Sequence, residues 1–263
     1  VTIVVLDPGL GPLPPYDEWL SDHDDVVLFT GAEADTRSTR YAEVVRFADY
    51  DGTGLVEARA VALAPSAIVA TGHEDLLRAG ALRAYLRLPG LHRAHALARA
   101  DLLEQRQILD EIGTPTVPCA PVRRAGDLYW HARRWRGPIR VRSRRAEGWP
   151  TVEVLRDDNA IAAFAETVFA DGFDTLPSLL VEPDRGTSRV ITPARDQAPA
   201  IVVDAAAVFP VDAGCEHIVT VHDTDGGPLL VDSVAVRPVD EEGQRLLVLA
   251  QAEVPARRRE QVG

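Results

Sequence analysis

The chain has 263 residues, is 46% hydrophobic and 26% charged, and has a mean hydropathy near zero. These are globular values that exclude a fibrous or disordered chain. The formal net charge of −12 argues against generic nucleic-acid binding, because the phosphates repel an acidic protein. No apolar run approaches the roughly 18–20 residues of a membrane-crossing helix. Two cysteines, Cys119 and Cys215, are too few for a disulfide framework, so a cytoplasmic, reducing setting is expected. Lysine and methionine are both absent, which makes all 28 basic residues arginine.

In chain order, residues 1–6 form a short apolar run with no basic segment before it and Asp7-Pro8 after it. It reads as a buried strand, not a signal peptide. A Gly/Pro loop covers 7–15, and 26–30 reads as a second strand closed by Gly31. Residues 41–47 are expected to be helical, 55–64 a strand, and 67–70 a short buried strand. Alternating strands and helices call for an α/β layer with parallel pairing. Helices follow over 74–86, stopped by Leu88-Pro89-Gly90, and over 101–112, where Gly113 is the expected cap. Three prolines make 114–121 an extended connector. A helix over 127–134, strands at 139–143 and 152–155, and an amphipathic helix over 157–169 come next. Strands at 179–182, 201–203, 218–221 and 229–236 give a strand-rich last third, with Asp225-Gly226-Gly227 as a hairpin turn. Residues 257–263 read as a frayed charged end.

From Glu74 to Pro238 the order of features resembles the ATP-grasp family. HEDLLRAGALRAYLRLPG resembles the helix closing the family's N-terminal domain. ARADLLEQRQILDEIGTPTVP resembles its segment of arginine, Asp-Lys, helix, glycine and proline-bearing connector. GDLYWHARRWRGPIRVRSRR resembles the short helix and the strand ending in an ATP-binding lysine. SLLVEP resembles the hinge strand that holds adenosine, and CEHIVTVHDTDGGPLLVDSVAVRP the Glu-containing strands after it. The first lysine slot holds Leu102 and the second holds Arg142. An arginine at the second slot resembles one clade of the family associated with peptide or amide ligation, and a guanidinium can still grip phosphate bidentately. The phosphate loop, 143–149, contains one glycine where several are usual. The family's closing Glu…Asn-x-Arg element, which holds magnesium, has no visible counterpart.

Seven arginines crowd 133–145, and Arg140, Arg142 and Arg144 would share one face of a strand. That face reads as a triphosphate or acidic-substrate grip, or else as a solvated face balanced by nearby carboxylates. Tyr129, Trp130 and Trp135 leave base stacking as a minor third reading. Glu182 is the resemblance's adenosine acid, although Pro183 removes a backbone donor beside it. Glu216 is the metal-side candidate; as ordinary strand residues, His217 and His222 would point to opposite faces. The stretch from Asp49 to Gly54 imitates a calcium loop but has Ala60 at the twelfth position, where a bidentate glutamate is required. Gly9-Leu10-Gly11 is a proline-flanked loop, not a dinucleotide fingerprint. Neither cysteine has a partner at ligand or redox spacing.

The expected architecture is α/β: an N-terminal open parallel sheet (1–98), a linking helix and small ATP-grasp-like subdomain (99–172), and a strand-rich second subdomain (173–263). The resemblance implies an ATP-dependent carboxylate–amine ligase working through an acyl phosphate. ATP and Mg²⁺ would be its cofactors, a small carboxylate and an amine or peptide its substrates, and a homodimer an admissible assembly. Arg142 would meet the phosphates with Arg140 and Arg144 assisting, Glu182 the adenosine, and Glu216 the metal. Leu102 and the glycine-poor loop support an alternative: a catalytically degenerate ATP-grasp scaffold for nucleotide or protein binding.

Overall fold

The computed structural model describes the chain except for residues 24, 32–39, 53, 146–148, 171–177, 187, 197, 210–213, 224–229 and 254–263, and the side chains of 74 and 201. The expected turn at 225–227 and the charged end at 257–263 lie outside the described residues. The chain forms two compact units, one from 1–97, 211–216 and 238–263, the other from 98–210 and 217–237.

The first unit is built on a four-stranded parallel sheet in the order β3-β2-β1-β4, with β1 (Ile3–Leu6), β2 (Val26–Gly31), β3 (Glu43–Phe47) and β4 (Ala67–Ala70). The open parallel sheet expected at the N-terminus is therefore present. Its inner strands are apolar at nearly every position because both faces are covered. Val4 and Leu6 face a core shared with Val56 and Ala60 of α2 (Leu55–Leu63) and Ala79 and Leu82 of α3 (His73–Leu86). Ile3 and Val5 face Tyr16 of α1 (Tyr16–Trp19) and Val248 and Ala252 of α9 (Glu241–Ala252). The side chain of Gln251 closes the β4 edge. Ala70 N–H donates to its Oε1 at 2.9 Å and its Nε2 donates to Ala70 O at 3.2 Å, which occupies backbone groups that would otherwise template another strand.

Two expectations fail in this unit. Residues 43–47 are a strand and 55–63 a helix, the reverse of what the sequence predicts. Val44, Val45 and Phe47 suit an edge strand registered on β2. The alanine-rich stretch from Leu55 favours helix, and Val56 and Ala60, four apart, form its buried face.

The chain enters the second unit at the end of α4 (Arg93–Ala100), and α5 (Leu102–Glu111) lies within it. It holds an antiparallel sheet of order β5-β8-β6-β7, from β5 (Ala120–Val122), β6 (Ile139–Ser143), β7 (Thr151–Leu155) and β8 (Leu179–Pro183). Ile139, Val141 and Val181 point to one face, where they pack with Leu128 of α6 (Ala125–Trp135) and Ile161 of α7 (Asp158–Val168). A second sheet, β11-β10-β9, consists of β9 (Arg189–Ile191), β10 (Cys215–His222) and β11 (Leu230–Pro238), and buries Val219, Val221, Val231 and Val234 with Leu109 of α5. Val202, Ala205 and Ala206 join that core from α8 (Ala200–Ala207). The strand expected at 201–203 is thus part of a helix. A short apolar run does not by itself distinguish the two, and the alanines after it extend the helix. Among the described residues no helix is long and apolar enough to cross a membrane.

Candidate nucleotide site

The side of β6 not used for the core is polar. Arg140 lies directly opposite Glu182 of β8, and Arg142 opposite Leu180, so alternation puts Arg140, Arg142 and Glu182 on the same face. Two further charges meet them. Asp232 arrives from β11, and Arg106 from α5, whose packing on β11 is fixed by Gln105. The Gln105 amide donates to Val234 O and accepts from Val234 N–H, both at 2.7 Å.

The four groups close on one another. Arg142 Nη1 lies 2.7 Å from Asp232 Oδ1 and 3.5 Å from Glu182 Oε1, and its Nε donates to Trp149 O at 2.8 Å. Arg106 Nη2 pairs with the same Asp232 Oδ1 and lies 2.7 Å from Glu182 Oε2, at an angle too poor for a hydrogen bond. Its Nε and Nη1 donate to the carbonyls of Asp232 at 3.0 Å and Val117 at 3.2 Å. Burial is nearly complete: Arg106 is 1% exposed, Glu182 1%, Asp232 3% and Arg142 6%. Burial alone would lower the Arg106 pKa, but Glu182 and Asp232 outweigh it and hold the guanidinium above its ordinary range. Two cations face two carboxylates, so the cluster is formally neutral.

The other predicted site residues are placed differently. Arg140 Nη2 lies 2.6 Å from Asp184 Oδ1 and its Nη1 3.9 Å from Glu182 Oε1, while its Nε is buried without a partner. Arg144 lies just past the end of β6 and binds Asp101, as does Arg145. Asp101 is fully buried and also caps α5, accepting from the N–H groups of Leu103 and Glu104. Leu102, at the first lysine slot, is fully buried with Trp149 and Leu180. Of the phosphate loop, residues 146–148 lie outside the described residues; Trp149 has φ +45°, an uncommon backbone for a non-glycine residue.

Glu216 is the second residue of β10, half-buried, and falls with the first unit. Among the described residues no three His, Cys, Asp or Glu side chains gather to hold a metal ion. Glu182 and Asp232 are occupied by arginines. Magnesium needs only one or two carboxylates when nucleotide phosphates complete its shell, but both carboxylates of this cluster are held by arginines, and no step is assigned to the metal.

Sequence reasoning did not find Arg106, Asp232 or Asp101 as site residues. The visible signal was a charged residue on an otherwise buried helix face at 106 and an acid within an apolar strand at 232. It also passed over a polar row in the first unit. Asp7 follows β1 and Thr71 follows β4, and the Tyr16 hydroxyl joins them, donating to Asp7 Oδ2 at 2.7 Å and lying 2.9 Å from Thr71 Oγ1.

No family model and no curated protein matches the sequence. Solved structures do. An L-amino acid ligase from Bacillus licheniformis superposes with a TM-score of 0.64 at 14% identity, over 96% of this chain and 74% of that one. An N5-carboxyaminoimidazole synthetase from Staphylococcus aureus, complexed with ADP, gives 0.61 at 15% identity over 97% and 78%. A RimK domain protein ATP-grasp from Sphaerobacter thermophilus gives 0.57 at 16% identity over 97% and 100%. At these identities the likeness is one of fold, and the fold of this chain is that of the ATP-grasp proteins.

Proposed function

We propose that this chain binds ATP against the polar face of the β6–β8 sheet and uses it to join a carboxylate to an amine. The observation that carries this reading is the convergence of Arg142 and Glu182, the two positions the family resemblance marks for phosphate and adenosine, on one buried face opposite Asp232. In the ligation, a substrate carboxylate oxygen attacks the γ-phosphorus and ADP leaves, giving an acyl phosphate. The amine nitrogen then attacks the acyl carbon, phosphate departs with the bonding electrons, and the nitrogen loses a proton to solvent. The chain's part is to position and neutralise. Because Arg142 is already paired, phosphate entry is a partner exchange: the guanidinium releases Asp232 and takes phosphate oxygens, with Arg140 and Arg144 assisting. Glu182 stays at the same face for the adenosine.

A second reading is favoured by the neutrality of the cluster and by Leu102 in an apolar pocket. In that reading the chain binds nucleotide without turning it over. Calorimetry with magnesium–ATP, followed by phosphate release and hydroxylamine trapping of acyl phosphate over a panel of amino acids, separates them. Binding with carboxylate-dependent hydroxamate supports the ligase; binding without turnover supports the scaffold. Absence of binding at high protein concentration overturns both.

A further inference from the structure

Helix α6 covers the sheet face turned away from Arg142, since Leu128 packs with Ile139 and Val141, which alternate with Arg140 and Arg142 along β6. Where its first turns meet the edge strand β5 there is an open pocket of about 590 Å³, whose walls include Arg123, Arg124, Asp127, Trp130 and His131. The nucleotide reading uses none of these groups.

Three features mark the pocket. Trp130 is 54% exposed, although an indole gains most when its ring is covered and its N–H is satisfied. The Arg134 guanidinium lies 5.0 Å from its ring centroid, which leaves the rest of the indole at the pocket wall. His131, at 9% exposure, has its Nδ1 sealed from solvent with no hydrogen-bond partner, a cost that native structures seldom leave unmet. Burial depresses its pKa, and Arg134 depresses it further, so the ring adds no positive charge to the pocket.

The third feature is charge. Asp127 accepts from the backbone N–H groups of Arg123 and Arg124 and from Arg124 Nε. Arg123, Arg124 and the nearby Arg134 against the one carboxylate of Asp127 leave the pocket net positive, and among the described residues the Arg123 guanidinium has no ion-pair partner. A net positive pocket beside an exposed indole suits an anion that carries an aromatic ring. Gly126, in the first turn of α6, also lines the pocket, and a Cβ built there meets nothing within 4 Å.

We infer that this pocket binds a small aromatic carboxylate, with its carboxylate on Arg123 and its ring against Trp130. This site is independent of the ligase reading and survives its failure.

The test is a titration of p-hydroxybenzoate into the isotope-labelled full chain, followed at the Gly126 amide and the Trp130 indole N–H by NMR. A ligand of this size should saturate with a dissociation constant of about 1 mM. Phenol, which lacks the charge, and cyclohexanecarboxylate, which lacks the π face, should each bind several-fold more weakly. Gly126→Leu fills the pocket from a helical position with open space around it, so its melting temperature should be no lower than that of the parent. It should nonetheless lose about tenfold or more in affinity, and Arg123→Ala should lose about as much. No saturable shift at about 10 mM ligand, or undiminished binding to a folded Gly126→Leu chain, overturns the proposal.

Discussion

Asp232→Ala should lower stability and raise nucleotide affinity at the same time. Asp232 Oδ1 is shared by Arg106 Nη2 and by Arg142 Nη1 at 2.7 Å, at a site only 3% exposed. Removing it leaves two buried guanidinium groups facing the single carboxylate of Glu182. Breaking a buried pair by deleting one partner costs about 3–5 kcal/mol. In a protein of this length each kcal/mol moves the melting temperature by about 2–4 °C, so a fall on the order of 10 °C is expected. Three of the four tryptophans, Trp130, Trp135 and Trp149, lie in the second unit and Trp19 in the first, so tryptophan emission is weighted toward the unit that carries the change. ATP should meanwhile bind more tightly, by about tenfold, because Arg142 no longer has to surrender a charged hydrogen bond worth about 1.5–3 kcal/mol. Calorimetry reads that sign directly. An unchanged melting temperature would show that the cluster does not hold the unit together. A lower melting temperature with weaker ATP binding would refute the partner exchange, because Asp232 would then be helping the nucleotide. The paired change Arg106→Met with Asp232→Leu should recover most of the lost stability, since apolar replacement of a whole buried pair is often neutral.

Other expected outcomes follow from single contacts. Arg142→Ala should weaken ATP binding far more than Arg133→Ala, which lies on the exposed side of α6; equal affinities in calorimetry would put the nucleotide elsewhere. Burial pushes the Asp75 carboxyl up from 3.8 to about 6 despite the opposing pull of Arg78 and Tyr50. The folded state therefore holds that proton more tightly than the unfolded chain. Its contribution to stability is complete below about pH 4 and is lost as pH rises through about 6. Thermal melts of the Asp75→Asn chain across that window should lack this slope. Gln251→Ala strips partners from the Ala70 N–H and C=O and from Arg83 Nη2. It should cost the first unit about 1–3 kcal/mol and speed hydrogen exchange at the Ala70 amide.

Local pattern made much of this architecture legible. The runs at 3–6, 26–31 and 67–70 are apolar at nearly every position because both sides of a parallel sheet are covered. Helix α3 stops beside the Leu-Pro-Gly signal, and Asp101 and Asp157 cap the helices they precede; α9, capped by Asp240, has no counterpart among the expected elements. Residues 43–47, 55–63 and 200–207 could not be resolved the same way, since short apolar stretches satisfy either period and the covering partner decides between them. The order of segments placed Arg142 and Glu182, and alternation along β6 and β8 put them on a common face. Their neighbours were out of reach. Arg106 and Asp232 are 126 positions apart, and nothing in the periodicity of α5 or β11 says that either charge has a counter-charge. That pairing exists only because α5 packs on β11 and β11 meets the polar face of β6. Periodicity reports which side of an element is buried, whereas the partner of a buried charge is set by which elements pack together.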